Sequence, residues 1–166
     1  MNDDPSRFYV AQSGLVSENG PDLIDKPAQY SSAQNEYRLE PTKDTLKVKL
    51  LWNGANGLVV TKTFTFTRNK YDIAVSYEID NKSDKNWSGQ FYAQIKRRDF
   101  DNAKGWFKFN TYTGAAVSSV EKPYEQISFS NIEDATKSKK EFIRDNQGGW
   151  VAMQQRYFLS TWVPAQ

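Results

Sequence analysis

Between Leu58 and Asp80 apolar and polar residues alternate with a period of two, interrupted once. Leu58, Val60, Phe64 and Phe66 fall on one side, with Val59, Thr61, Thr63, Thr65 and Thr67 on the other. After Arg68-Asn69-Lys70 the alternation resumes, setting Tyr71, Ile73, Val75, Tyr77 and Ile79 against Asp72, Ala74, Ser76, Glu78 and Asp80. Successive side chains of a strand point to opposite faces, so each run predicts a strand with one apolar face. The short polar break predicts an antiparallel hairpin, and its apolar face is expected to be buried.

The same pattern recurs along the chain. Thr45–Trp52 places Leu46, Val48, Leu50 and Trp52 opposite Lys47 and Lys49, and Asn53-Gly54 and Asn56-Gly57 offer tight turns before Leu58. Gly89–Arg98 alternates Phe91, Ala93 and Ile95 with Gln90, Tyr92, Gln94 and Lys96. Further strands are predicted at Phe8–Ala11, Glu36–Glu40, Trp106–Val117 and Tyr124–Phe129, the first followed by Gln12-Ser13-Gly14-Leu15. Val16–Asn35, containing Asn19-Gly20-Pro21-Asp22, reads as a long surface loop. Asp99–Lys104 reads as a loop, and Gln147-Gly148-Gly149 as a break before the last ordered segment. Helical character is confined to Asn131–Lys140, with Asn131 as cap, acidic residues early and lysines late. Many strands joined by polar turns predict an all-β fold, an antiparallel β-sandwich or barrel with at most one or two short helices.

Composition narrows the chemistry. A chain of 166 residues suits one domain with a sizeable core. It has no cysteine, which removes disulfides, thiolate metal sites and cysteine nucleophiles. It has no histidine, which removes the commonest general base, the commonest metal ligand and every serine–histidine triad. The net charge of +2 comes from interspersed charges and gives no support for nucleic-acid binding. No apolar run approaches the ~20 residues of a membrane-spanning helix.

Several constellations remain. Glu78 with Asp80, and Asp99 with Asp101, are spaced to share a face of an extended segment, as a carboxylate glycosidase would require. Solvated carboxylates on a polar strand face are the plainer reading. Lys96-Arg97-Arg98-Asp99-Phe100 interleaves basic and aromatic residues, which suits either an interaction surface or a charged strand end. Of the five tryptophans, Trp52 and Trp162 fall in apolar patterns, while Trp87, between Asn86 and Ser88, is the one expected to be exposed. An exposed indole would fit a carbohydrate-binding β-sandwich module.

At Gly148–Pro164 the chain reads GGWVAMQQRYFLSTWVP. Ala11-Gln12-Ser13-Gly14-Leu15, Asn19-Gly20-Pro21-Asp22, Thr61-Lys62-Thr63-Phe64, Tyr112-Thr113-Gly114-Ala115-Ala116 and Lys122-Pro123-Tyr124 precede it in order. In these segments the chain resembles the large periplasmic domain of the bacterial YidC membrane-protein insertase family, in its proteobacterial form. The resemblance implies a β-supersandwich of the galactose-mutarotase type, located on the periplasmic face of the bacterial inner membrane. It implies no cofactor and no catalytic residue, because the family's insertase work belongs to membrane helices. Partners implied are components of the Sec translocon and nascent inner-membrane proteins. Arg97, Arg98 and Phe100 are the expected partner contacts, on charge and aromatic interleaving alone.

Residues 1–166 are expected to form a single domain that is an incomplete portion of the family's periplasmic region. Sheet edges exposed in such a portion would favour an edge-mediated dimer.

Overall fold

A computed structural model describes residues 8–23, 26–54, 57–98, 112–138, 148–155 and 157–165. The strands are β1 (Tyr9–Val16), β2 (Ser31–Ser32), β3 (Thr45–Asn53), β4 (Leu58–Thr67) and β5 (Ile73–Asn81). They continue as β6 (Gln90–Arg97), β7 (Gly114–Ser118), β8 (Glu125–Ile127), β9 (Trp150–Gln154) and β10 (Leu159–Trp162). One helix, α1 (Phe129–Lys137), lies between β8 and β9. The fold is all-β with antiparallel sheets, in the orders β2-β3-β4-β5, β10-β9-β7-β8 and β1-β6. The chain divides into two compact units, Gly14–Tyr92 and Met1–Ser13 with Ala93–Gln166.

In the Gly14–Tyr92 unit the β3–β4–β5 register brings the apolar positions into cross-strand rows. Leu46 lies beside Phe66 and Ile73, Val48 beside Phe64 and Val75, and Trp52 beside Val60 and Ile79. The opposite face carries rows such as Lys49, Thr63 and Ser76. The β4–β5 turn places Asn69 at φ 58, a left-handed conformation that asparagine tolerates. Val60 is 0% exposed and is the largest fully buried side chain among the described residues, with Leu15 and Leu58 also buried.

In the other unit β9 pairs with both β7 and β10, and Ala116 faces Ala152 at the centre of the sheet. Ala116, Ala152 and Met153 are buried. The Tyr112 hydroxyl donates to the backbone carbonyls of Ala115 and Ile127, holding the segment before β7 against β8. Gly148 and Gly149 both adopt positive φ ahead of β9, as the expected break requires.

Four expectations are corrected. The apolar face of the β4–β5 hairpin is only partly buried: Leu58 and Val60 are buried, whereas Phe66, Tyr71, Ile73 and Ile79 are exposed. β1 runs on to Val16, past the end expected at Ala11. Glu36–Glu40 forms no ladder, and its polar groups are used locally: Arg38 pairs with Glu36 at 2.7 Å, and the Tyr37 hydroxyl meets Ser32 Oγ at 2.8 Å. The helix starts earlier than Asn131, because Ser128 caps it by accepting the Asn131 N–H at 3.2 Å, which also shortens the strand before it. The expected loop at Asp99–Lys104 and the first part of the Trp106–Val117 strand lie outside the described residues.

Replacing Val60 tests the core. Val60→Ala is expected to cost about 2 kcal/mol in chemical denaturation, through lost burial and an unfilled cavity. Val60→Asp, which puts an unpaired carboxylate in the same place, is expected to leave no cooperative transition.

Candidate functional site

A polar cluster in the Gly14–Tyr92 unit starts from Asp22. Its side chain is buried, with the residue 4% exposed, so the carboxylate must find donors within the protein. Oδ2 accepts the Leu15 N–H at 2.9 Å and Oδ1 accepts the Ala28 N–H at 2.7 Å. The Asp22 backbone adds two further ties, donating to the Leu15 carbonyl at 3.0 Å and accepting from Ser17 N–H at 3.2 Å. One residue thus joins the end of β1, the turn that follows, and the segment leading to β2. The long loop expected at Val16–Asn35 is therefore anchored at its centre.

The close approach depends on Gly14. A Cβ there would lie 2.1 Å from Asp22 Oδ2 and 2.7 Å from the Tyr92 ring, too close for any side chain. Lys62 lies on the apolar face of β4, in a row between Leu50 and Tyr77. Its ammonium sits 5.0 Å from the Phe64 ring centroid and 5.4 Å from that of Tyr77, within cation–π range. Burial lowers the Lys62 pKa, and the nearby charge of Asp22 works in the opposite direction. Burial pushes the Tyr30 phenol well above its ordinary value, reinforced by Asp22 and then by Tyr77 and Tyr92. Tyr92 is raised for the same two leading reasons, burial first and Asp22 second. The Tyr30 hydroxyl is buried without a hydrogen-bond partner.

Beside this cluster is an open depression of about 920 Å³. Glu18, Asn19, Leu23, Lys26, Asn86 and Gln90 are among the residues that line it. Amide and hydroxyl side chains, one acidic and one basic side chain share the lining with Val16 and Leu23, and most of its surface is apolar. Among the described residues no group of three or more carboxylates forms a metal-ligand cluster.

The residues singled out from sequence are placed differently from one another. Arg97 ends β6 with its side chain half-buried, and its guanidinium carbon lies 5.8 Å from the ring centroids of both Tyr9 and Phe129. Arg98 is exposed, and its backbone N–H donates to the Phe8 carbonyl at 3.0 Å. Phe100, Asp99 and Asp101 lie outside the described residues. Glu78 and Asp80 are exposed on the polar face of β5, as solvated carboxylates should be, and Asp80 pairs with Lys82 at 3.2 Å.

Trp87 is not the free platform expected of it. It is half-buried, its indole N–H donates to the Gly20 carbonyl at 3.0 Å, and its ring packs where Gly89 leaves room. Trp162 is likewise anchored, donating to the Gln94 carbonyl at 3.1 Å. Asp22, Tyr30 and Lys62 were missed from sequence. The one available signal was Lys62 itself, a cation interrupting an otherwise apolar stripe.

The sheets and this cluster define an all-β domain whose buried Asp22 carboxylate is committed to holding backbone segments. The whole chain, residues 1–166, matches the YidC periplasmic domain family, and it belongs to that family. The membrane protein insertase YidC of Coxiella burnetii is 40% identical over 164 residues, which is 99% of this chain and 28% of that protein. Those of Shewanella pealeana and Nitrosococcus oceani are 41% and 37% identical, over 95% and 98% of this chain. The chain spans 28% of the length of each of these relatives. Among the described residues no helix is long and apolar enough to cross a membrane.

Two measurements check the cluster. Asp22→Asn keeps the shape but turns an amide NH₂ toward a backbone donor, and is expected to cost about 3 kcal/mol in denaturant unfolding. The pH dependence has opposite signs for the two titrating types. Folded Tyr30 keeps a proton that an unfolded tyrosine releases near pH 10, so it contributes a fall in stability as pH rises beyond about 10. Folded Lys62 releases its proton before an unfolded lysine does, so it contributes a rise in stability with pH up to about 10.4. Tyr30→Phe should flatten the alkaline fall, and Lys62→Met the approach to it, in denaturation midpoints measured from pH 8 to about 12.

Proposed function

We propose that this domain is a non-catalytic scaffold on the periplasmic face of the bacterial inner membrane. In this reading it belongs to an insertase that places and folds inner-membrane proteins, and it contacts Sec translocon components or incoming substrates. The observation that carries the reading is the match to the insertase periplasmic family over the full chain. The site geometry supports it: the Asp22 cluster uses its carboxylate to hold backbone segments, with Leu15 and Ala28 N–H groups occupying both oxygens.

Within this reading the basic end of β6 is the contact surface, with Arg98 as its exposed member. Rim charges of this kind govern encounter and partner choice more than folding. The test is affinity recovery of Sec components on the full-length insertase, comparing wild type with Arg98→Glu and with Arg97→Glu/Arg98→Glu. A several-fold loss of recovery with an unchanged circular dichroism spectrum is expected. Undiminished recovery in both variants removes this surface from the proposal.

A further inference from the structure

β5 is the last strand of the β2-β3-β4-β5 sheet, and among the described residues β4 is its one strand neighbour. It pairs with β4 residue for residue, without a bulge, and contains neither proline nor lysine. Those are the devices that commonly blunt a sheet edge. β3, toward the other side of the sheet, is partly covered by β2 and carries Lys47 and Lys49. Every residue of β5 except Val75 and Tyr77 is exposed, with Ile73 at 50% and Ile79 at 37%. One bond gives the direction of the backbone groups. The Lys82 N–H donates at 3.2 Å to the carbonyl of Gly57, the residue opposite it one step beyond the β4–β5 ladder. Hydrogen-bonded pairs alternate in an antiparallel ladder, so even-numbered residues of β5 turn their N–H and C=O toward β4. Ile73, Val75, Ile79 and Asn81 therefore turn theirs the other way, along the exposed edge.

Charge decides what fits there. Asp72, Glu78, Asp80 and Lys82 share one face of the strand with Ala74 and Ser76. For a second copy laid antiparallel along this edge, most registers oppose like charges. A two-fold axis at Glu78 sets Glu78 against itself, and one at Ser76 sets Asp72 against Asp80. An axis at Val75 opposes Glu78 and Asp72, and one at Ile79 opposes Glu78 and Asp80. An axis at Tyr77 avoids all of these. Glu78 then faces Ser76, Asp80 faces Ala74, and Lys82, which reaches its own Asp80 at 3.2 Å, faces the second copy's Asp72. In the same register Val75 meets Ile79 and Ile73 meets Asn81, so the outward backbone groups pair with one another and the apolar stripe continues across the edge.

We infer that the β5 edge is a self-association site, completed by a second copy of this domain in antiparallel pairing about Tyr77. The contact is isologous, so each favourable pair occurs twice and the two four-stranded sheets join into one. The carboxylates that would repel a randomly placed strand select this register. Edge pairing buries little surface, so the dimer is weak and forms as the concentration approaches the millimolar range. It is independent of the Sec contact proposed above, which uses the end of β6.

The test is sedimentation of the 166-residue chain from micromolar to millimolar concentration, with circular dichroism reporting the fold of each variant. A dimer population that grows with concentration is expected for the wild type. Asp72→Lys opposes two lysines and Lys82→Asp opposes two aspartates, and each should weaken association about fivefold. The double variant restores the pair with its ends exchanged and should recover wild-type association. Disulfide trapping reads the register directly, since the chain has no cysteine of its own. Positions 76 and 78 of the two copies form a non-hydrogen-bonded pair, with Cα atoms about 4.5 Å apart and within disulfide reach. Ser76→Cys chains mixed with Glu78→Cys chains should therefore cross-link faster than either variant alone. A wild-type chain that stays monomeric to millimolar concentration overturns the inference. So does a dimer indifferent to both charge variants, a double variant weaker than either single one, or cross-linking with no preference for the mixture.

Discussion

The Gly14–Tyr92 unit depends on how it accommodates one buried carboxylate. An ionised group removed from water is costly unless it is hydrogen-bonded and electrically compensated. Asp22 meets the first condition with the Leu15 and Ala28 N–H groups. Lys62 is the nearby cation, and the Asp22 charge acts against the lowering of its pKa by burial. Each solution constrains something else. The bond to Leu15 brings the carboxylate against position 14, which excludes every residue but glycine there. Lys62 lies on a face that is otherwise apolar, and the rings of Phe64 and Tyr77 supply the surface on which its ammonium sits. The depression lined by Glu18, Leu23 and Lys26 takes its walls from the segments Asp22 ties down, so its shape inherits the same constraint.

The sheet makes that accommodation possible. In the β3–β4–β5 register Lys62 stands between Leu50 and Tyr77, with the row of the buried Val60 on one side and the Phe64 row on the other. A slip of one residue in β4 would move Lys62 to the threonine face and bring the threonines inward. The hydrophobic pattern therefore does more than bury apolar area: it fixes which face the Lys62 cation occupies. Hairpin packing and loop electrostatics are a single problem here, solved together by the strand register.

How far this was legible in the sequence follows from the range of each interaction. The β4–β5 hairpin was legible because alternation is a local signal and its break at Arg68-Asn69-Lys70 carries a residue suited to positive φ. The far end of β1 was missed because serine, glycine and glutamine carry little strand signal, whereas Gly14 here clears space for a carboxylate eight positions later. The helix cap was displaced to Ser128 for a similar reason, since serine and asparagine both cap and only backbone geometry decides between them. Arg97 and Arg98 were a pair in sequence, yet strand alternation gives them different environments, one half-buried between rings and one exposed. Trp87 looked exposed from its polar neighbours, but its indole N–H found the Gly20 carbonyl, a partner that no window around position 87 contains.

The two buried charges illustrate opposite uses of the same physics. Asp22 has both oxygens occupied by backbone N–H groups, so its charge is spent on holding a loop and offers nothing to a ligand. Arg97 has aromatic cover but no acceptor for Nε and Nη1, so its stabilisation is electrostatic and incomplete. Replacing a satisfied charge chiefly damages folding, whereas an unsatisfied one costs the fold stability.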